Sequence, residues 1–257
     1  MGTTPHSPGT TLSQNFLDLN GQPITEFVIR LSHVQREFAS IRFVTYRPEP
    51  KLTQRLGNLL TPEEQALRES ATSICHDSGI PYWDALLGLC MKRPEGIPER
   101  FVEAAGAHGS NEASKQFDLS PSEISSERIA TIIDDLPDGC GLVISSKARL
   151  KSGEFAHIPM LDFRCPCSEG NATAIAKIVG LLGQKGGVLA ESGQSYHYYG
   201  IELFSVSQWT NFMARALLFA PIVDPRYIGH RIADGECRLK ITSARNAAIP
   251  KIVGVYG

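Results

Sequence analysis

The sequence predicts an α+β fold, a mainly antiparallel sheet with helices packed on it. Three observations carry this. The second half of the chain runs hairpin, helix, hairpin, helix, strand. Its strand-like runs are joined by the short polar turns Lys151-Ser152-Gly153 and Ser192-Gly193. In the first half, Thr61-Pro62-Glu63-Glu64 and Ser120-Pro121-Ser122-Glu123 each read as a helix-opening capping box.

Element by element, residues 1–20 are rich in Thr, Ser, Pro and Gly and read as loose. Phe27–Leu31 and Ile41–Tyr46 are apolar runs with β-branched residues, and both are expected as strands, the second ended by Pro48 and Pro50. Thr61 caps a helix expected to reach about Ser78. Tyr82–Met91 places Trp83, Leu86, Leu87 and Cys90 on one helical face. Residues 93–118 carry weak helical periodicity around Pro98–Ala107, and Arg128–Leu136 reads as a helix. The pattern changes at Pro137-Asp138-Gly139, which divides a partly helical α/β region, 21–137, from a C-terminal core, 138–257.

In that core, Leu142–Leu150 and Glu154–Arg164 form the first hairpin. Asn171–Leu182 has Ala, Ile and Val at helical spacing, and Gly186-Gly187 ends it. Val188–Ala190 and Tyr196–Gly200 form the second hairpin. Ser207–Leu218 is an apolar helix, Arg226–Ile232 a helical turn, and Cys237–Thr242 the last strand.

The totals narrow the function. The chain has 257 residues, of which 42% are hydrophobic, enough for a sizeable core. Its formal net charge is −2, so any nucleic acid must be met by a local patch and not by a global field. No apolar run approaches the roughly 20 residues that span a bilayer. The first residues match neither a secretory signal nor the myristoylation pattern, so a cytoplasmic protein without a membrane partner is expected. The six cysteines are irregularly spaced and include no Cys-x-x-Cys. Neither disulfide nor zinc is expected, Cys165-Pro-Cys167 being too short for ordinary zinc spacing.

The chemistry gathers late in the chain. Asp162 ends an apolar strand, where a carboxylate is costly unless it is paired or binds a cation. It suits a hard ion such as Mg²⁺ or Mn²⁺, or it pairs with Arg164 two residues on. Ser195 and His197 also lie two apart, so on a strand they share a face and both can donate to phosphate. Alternatively, His197 is a core histidine bonded to backbone. Asp224 precedes Pro225, an ordinary helix start with Asp224 as N-cap. Arg238 and Lys240 alternate on one strand face, which fits either phosphate binding or plain solvation.

Taken together, Leu161-Asp162-Phe163-Arg164, Ser195-Tyr196-His197 and Ile222-Val223-Asp224 resemble the three motifs of the archaeo-eukaryotic primase superfamily. The nearest likeness is to its small primase 1D-like proteins, over roughly Leu142 to Thr242. The resemblance implies a primase-polymerase-like core that binds nucleoside triphosphate and DNA or RNA, in replication, repair or a mobile-element or defence setting. It implies Asp162 and Asp224 as catalytic Mg²⁺ or Mn²⁺ ligands. Arg164, Ser195, His197, Arg238 and Lys240 would face the triphosphate.

Two departures matter: Arg164 stands where the family pattern has a second carboxylate, and Ser195-Tyr196-His197 lies close to Asp224 in sequence, leaving little room for the insertions of larger relatives. Two further readings are therefore carried, a relative that binds nucleotide or a nucleic-acid end without polymerising, and a structural adaptor with no nucleotide site. In the first two readings, Asp162, Ser195, His197 and Arg238 should meet on one face of one sheet. Arg164 and Asp162 should pair or meet a common ligand.

Overall fold

Ile24, Phe27, Val28 and Leu31 recur at i, i+3, i+4 and i+7, and that spacing wins over their β-branched composition. They are the buried stripe of a helix, Ile24–Val34, and not of a strand as expected. The computed structural model describes residues 12–47, 60–107, 115–193, 195–244 and 248–257. Pro48, Pro50 and residues 1–11 lie outside the described residues. The chain divides into two units, one made of Met1–Arg47 with Asn111–Gly257, the other of Pro48–Ser110.

The first unit opens with a 3-10 helix, Leu12–Leu19, which buries Phe16 and Leu19 where a loose segment was expected. Then come α1 (Ile24–Val34) and β1 (Phe38–Tyr46). The second unit supplies α2 (Pro62–Ser78), α3 (Tyr82–Cys90) and α4 (Glu99–Gly106), packed around Ala71, Trp83, Leu86, Cys90 and Phe101. The first unit resumes with β2 (Gln116–Leu119), a 3-10 turn (Pro121–Glu123), α5 (Ser126–Asp134), β3 (Gly141–Leu150), β4 (Phe155–His157) and β5 (Met160–Asp162). It ends with α6 (Glu169–Leu181), β6 (Gly187–Glu191), β7 (Tyr196–Gly200), α7 (Val206–Ala216), α8 (Pro225–Asp234), β8 (Arg238–Lys240) and β9 (Lys251–Tyr256).

Two antiparallel sheets organise the first unit. One runs β2-β1-β3-β4, with β8 also on β3; the other runs β5-β7-β6-β9. β1 pairs with β3 from Phe38↔Leu150 to Tyr46↔Gly141, so the segment around 21–47 belongs with the C-terminal core. The boundary at 137 therefore cuts through a sheet, and the separate unit is the helical one. The expected strand Glu154–Arg164 is broken at Ile158-Pro159. Proline supplies no N–H to a ladder, and the chain crosses there from β4 in one sheet to β5 in the other.

α2 starts where the capping signal places it. The Thr61 hydroxyl accepts from the Glu64 N–H, and the Glu64 carboxylate accepts from the Thr61 N–H. Thr61→Ala removes one of these bonds and should cost about 1 kcal/mol. A urea melt of the full chain followed by circular dichroism should show it as an earlier loss of helix.

His157 gives a pH-dependent term to stability. Its ring is 1% exposed, stacked on Trp209 with centroids 4.5 Å apart, and Nδ1 lies 3.2 Å from the Ser146 hydroxyl. Burial, reinforced by the charge of Lys147, lowers its pKa to about 4. The unfolded chain takes up this proton near pH 6.5, the folded chain only near 4. Stability is thus full above about 6.5 and falls as the pH drops towards 4, by about 3 kcal/mol in all. His157→Gln should flatten that slope in melts taken between pH 7 and 4.

No helix among the described residues is long and apolar enough to cross a membrane.

Candidate functional site

β7 lies between β5 and β6, and its burial is complete from Tyr196 to Gly200. Tyr198 and Tyr199 are both wholly buried. Gly187 of β6 makes room for them: a Cβ there would come within 2.5 Å of the Tyr199 carbonyl oxygen and 2.7 Å of the Tyr198 ring. Gly193, at φ 82°, makes the β6–β7 turn in a conformation that glycine adopts at no cost. Gly187 thus serves the packing and Gly193 the turn.

On that frame Asp162 and His197 are direct cross-strand partners. His197 Nε2 lies 3.4 Å from Asp162 Oδ1, and the ring is 4% exposed. On its other side Nδ1 is 3.3 Å from the Tyr199 hydroxyl, which donates to the Lys240 carbonyl at 3.0 Å. Burial, with the negative charge of Asp162, holds the Tyr199 hydroxyl well above the usual phenol range, so it stays a donor.

After Asp162 the chain is clamped on both sides. The Phe163 N–H donates to the Tyr196 carbonyl at 2.9 Å, and the Arg164 N–H to the Ile222 carbonyl at 2.8 Å. The Asp224 N–H returns a bond to the Asp162 carbonyl at 3.2 Å, around the antiparallel bridge Phe163↔Val223. These bonds bring Asp224 beside Asp162 and Arg164, some 60 residues earlier in the chain. Asp224 is the N-cap of α8: Oδ1 accepts from the N–H groups of Arg226 at 2.9 Å and Tyr227 at 3.2 Å. Its second oxygen lies 3.5 Å from Arg164 Nε. Arg164 therefore pairs with Asp224.

Asp162, Phe163, Arg164, Pro166, Cys167, Ser195 and Asp224 line a cleft of about 600 Å³. That is within the size range of small-molecule sites. Asp162 and Arg164 meet in one cleft, as expected, and His197 stands behind Asp162. Arg238 and Lys240 do not join them. Both are on β8 of the other sheet. The Arg238 guanidinium is held by Glu236, with Nε 2.6 Å from Oε1, and the Lys240 carbonyl accepts from the Tyr199 hydroxyl. The expected convergence on one face of one sheet thus holds for Asp162 with His197 and fails for Arg238. Tyr199 was not singled out in the sequence, although its two-residue spacing from His197 is the signal that places both on one strand face.

Could the cleft hold a pair of divalent ions? Such a centre needs shared oxygen ligands about 3.5–4 Å from one metal to the next. Asp224 has one oxygen committed to two amides and the other facing a guanidinium, and Asp162 has an oxygen against His197. Among the described residues no group of three or more His, Cys, Asp or Glu side chains is arranged to take a metal. This donor set does not fit a two-metal centre.

Residues 120–252 match the model of the archaeo-eukaryotic primase 1D-like family, and the chain belongs to that family. No curated protein and no solved structure matches it.

Proposed function

We propose that this primase-like protein binds a nucleoside triphosphate in the cleft, phosphate end towards Arg164 and Ser195, and does not extend a primer with it. The observation that carries the reading is Arg164 itself, a cation in the wall of a cleft that also holds two carboxylates. A guanidinium suits phosphate oxygens because its N–H groups can bond two of them at once. Ser195 adds a hydroxyl to the same wall, and Asp162 with His197 behind it gives a polar floor able to meet a sugar or a base edge. DNA or RNA is the macromolecular partner that goes with this reading, in replication, repair or defence. It would be engaged as an end or a short single strand.

The alternative is a working primase-polymerase with Mg²⁺ or Mn²⁺ on Asp162 and Asp224. The presence of both carboxylates in one cleft favours it; the commitment of the Asp224 oxygens counts against it. Isothermal titration of the purified chain with a nucleoside triphosphate, run beside a primer-extension assay containing Mn²⁺, separates the two. Binding without extension is the expected outcome. Extension lost in Asp162→Ala would establish the alternative, and the absence of binding under every condition would leave the structural adaptor.

A further inference from the structure

We infer that the cleft is a self-blocked anion site, in which the Asp224 carboxylate occupies Arg164 until a phosphate group displaces it. This rests on the nucleotide reading above and specifies how that site is controlled.

The two oxygens of Asp224 have different tasks. Oδ1 caps α8 by accepting two backbone N–H groups. Oδ2 is turned to Arg164, at 3.5 Å from Nε. That distance is longer than a charge-assisted hydrogen bond, which is typically about 2.7–2.9 Å. Neither partner is sealed off, since the side chains are 26% and 23% exposed and both line the open cleft. At that loose distance the contact lacks the strength of a short charge-assisted hydrogen bond, so an incoming phosphate dianion can replace the carboxylate on the guanidinium. Asp224 keeps its place meanwhile, because the cap holds the other oxygen.

The account separates the cap from the charge, and one substitution tests it. Asn is as good an N-cap as Asp, because its amide oxygen accepts the same two N–H groups. Asp224→Asn should therefore keep α8 and remove only the negative charge facing Arg164. Inorganic triphosphate serves as the probe, titrated calorimetrically into the full chain in EDTA and again in Mn²⁺. In EDTA, Asp224→Asn should bind roughly fivefold more tightly than the unmodified chain, because the competing ion pair is gone and one carboxylate no longer repels the polyphosphate. A metal ligand would behave in the opposite way, its loss weakening binding. An unchanged melting profile checks that the cap survives. Should it not survive, Asp224→Ser, another capping residue without charge, gives the same test.

Equal or weaker triphosphate binding by a folded Asp224→Asn would overturn the inference, as would binding by the unmodified chain that requires Mn²⁺; the nucleotide reading would stand in either case. No binding by any variant, with or without Mn²⁺, would overturn both.

Discussion

Arg164→Ala should weaken triphosphate binding by roughly ten- to a hundredfold, the loss of a charge-assisted contact worth about 1.5–3 kcal/mol. The direction follows from charge. The cleft wall carries Arg164 against Asp162 and Asp224, and His197 lies behind the first of these. With Arg164 removed, the remaining walls present two carboxylates to an incoming polyphosphate, and repulsion adds to the lost contact. Arg164→Lys should recover part of the affinity, because an ammonium keeps the charge and loses the planar fork. In contrast, Arg238→Ala should leave binding nearly unchanged, since that side chain is held by Glu236 on the other sheet. Titration of the three variants with one triphosphate gives the comparison.

The second large effect concerns stability. Phe163 is 1% exposed and lies in the core between the two charged residues of its motif. Its backbone joins β7 on one side and is bridged to Val223 on the other. Phe163→Ala should cost about 3–5 kcal/mol through lost burial and the cavity left behind. That is a large share of the roughly 5–15 kcal/mol by which domains are stable. Denaturant melts should show the midpoint fall sharply. Phe163→Leu should lose less, and it should keep the register that sets Asp162, Arg164 and Asp224 around the cleft.

Local chemistry was the most legible part of the sequence. Thr61-Pro62-Glu63-Glu64 starts α2 as a capping box because every partner lies within one turn. Ser120-Pro121-Ser122-Glu123 forms a capping box too, but on a single 3-10 turn, with α5 capped separately by Ser125. Phe27–Leu31 was misread because five residues are too few to tell period 2 from period 3.6; Ile24, one turn earlier, settles the matter. The last strand, Lys251–Tyr256, was overlooked although its Ile252, Val253, Val255 and Tyr256 suit a sheet, and it pairs with β6 far back in the chain. Pairings of that kind are long-range and leave no mark in a window of a dozen residues.

The site divides along the same line. Asp162 and His197 were placed together by the motif resemblance, and the β5–β7 register sets them opposite each other. The Arg164–Asp224 pair was not foreseen. Two residues apart on one strand, Arg164 and Asp162 looked like natural partners, but the clamp from Ile222 to Asp224 delivers another carboxylate to the guanidinium. Asp224 as an N-cap was legible from Asp-Pro alone, and the structure adds the second task of its other oxygen. Arg238 and Lys240 do share a face of β8, as their alternation says, yet no local pattern reveals that β8 pairs with β3.

The central claim is that a fixed guanidinium, and not a pair of metal ions, receives phosphate in this primase-type cleft. The direct test is the affinity of the unmodified chain for one nucleoside triphosphate, measured in EDTA and in Mn²⁺ on the same preparation, with primer extension followed in parallel. The account predicts binding in EDTA within about threefold of that in Mn²⁺, a difference below about 0.7 kcal/mol, and no extension. Binding that appears only with Mn²⁺, accompanied by primer extension that Asp224→Ala abolishes, would contradict it.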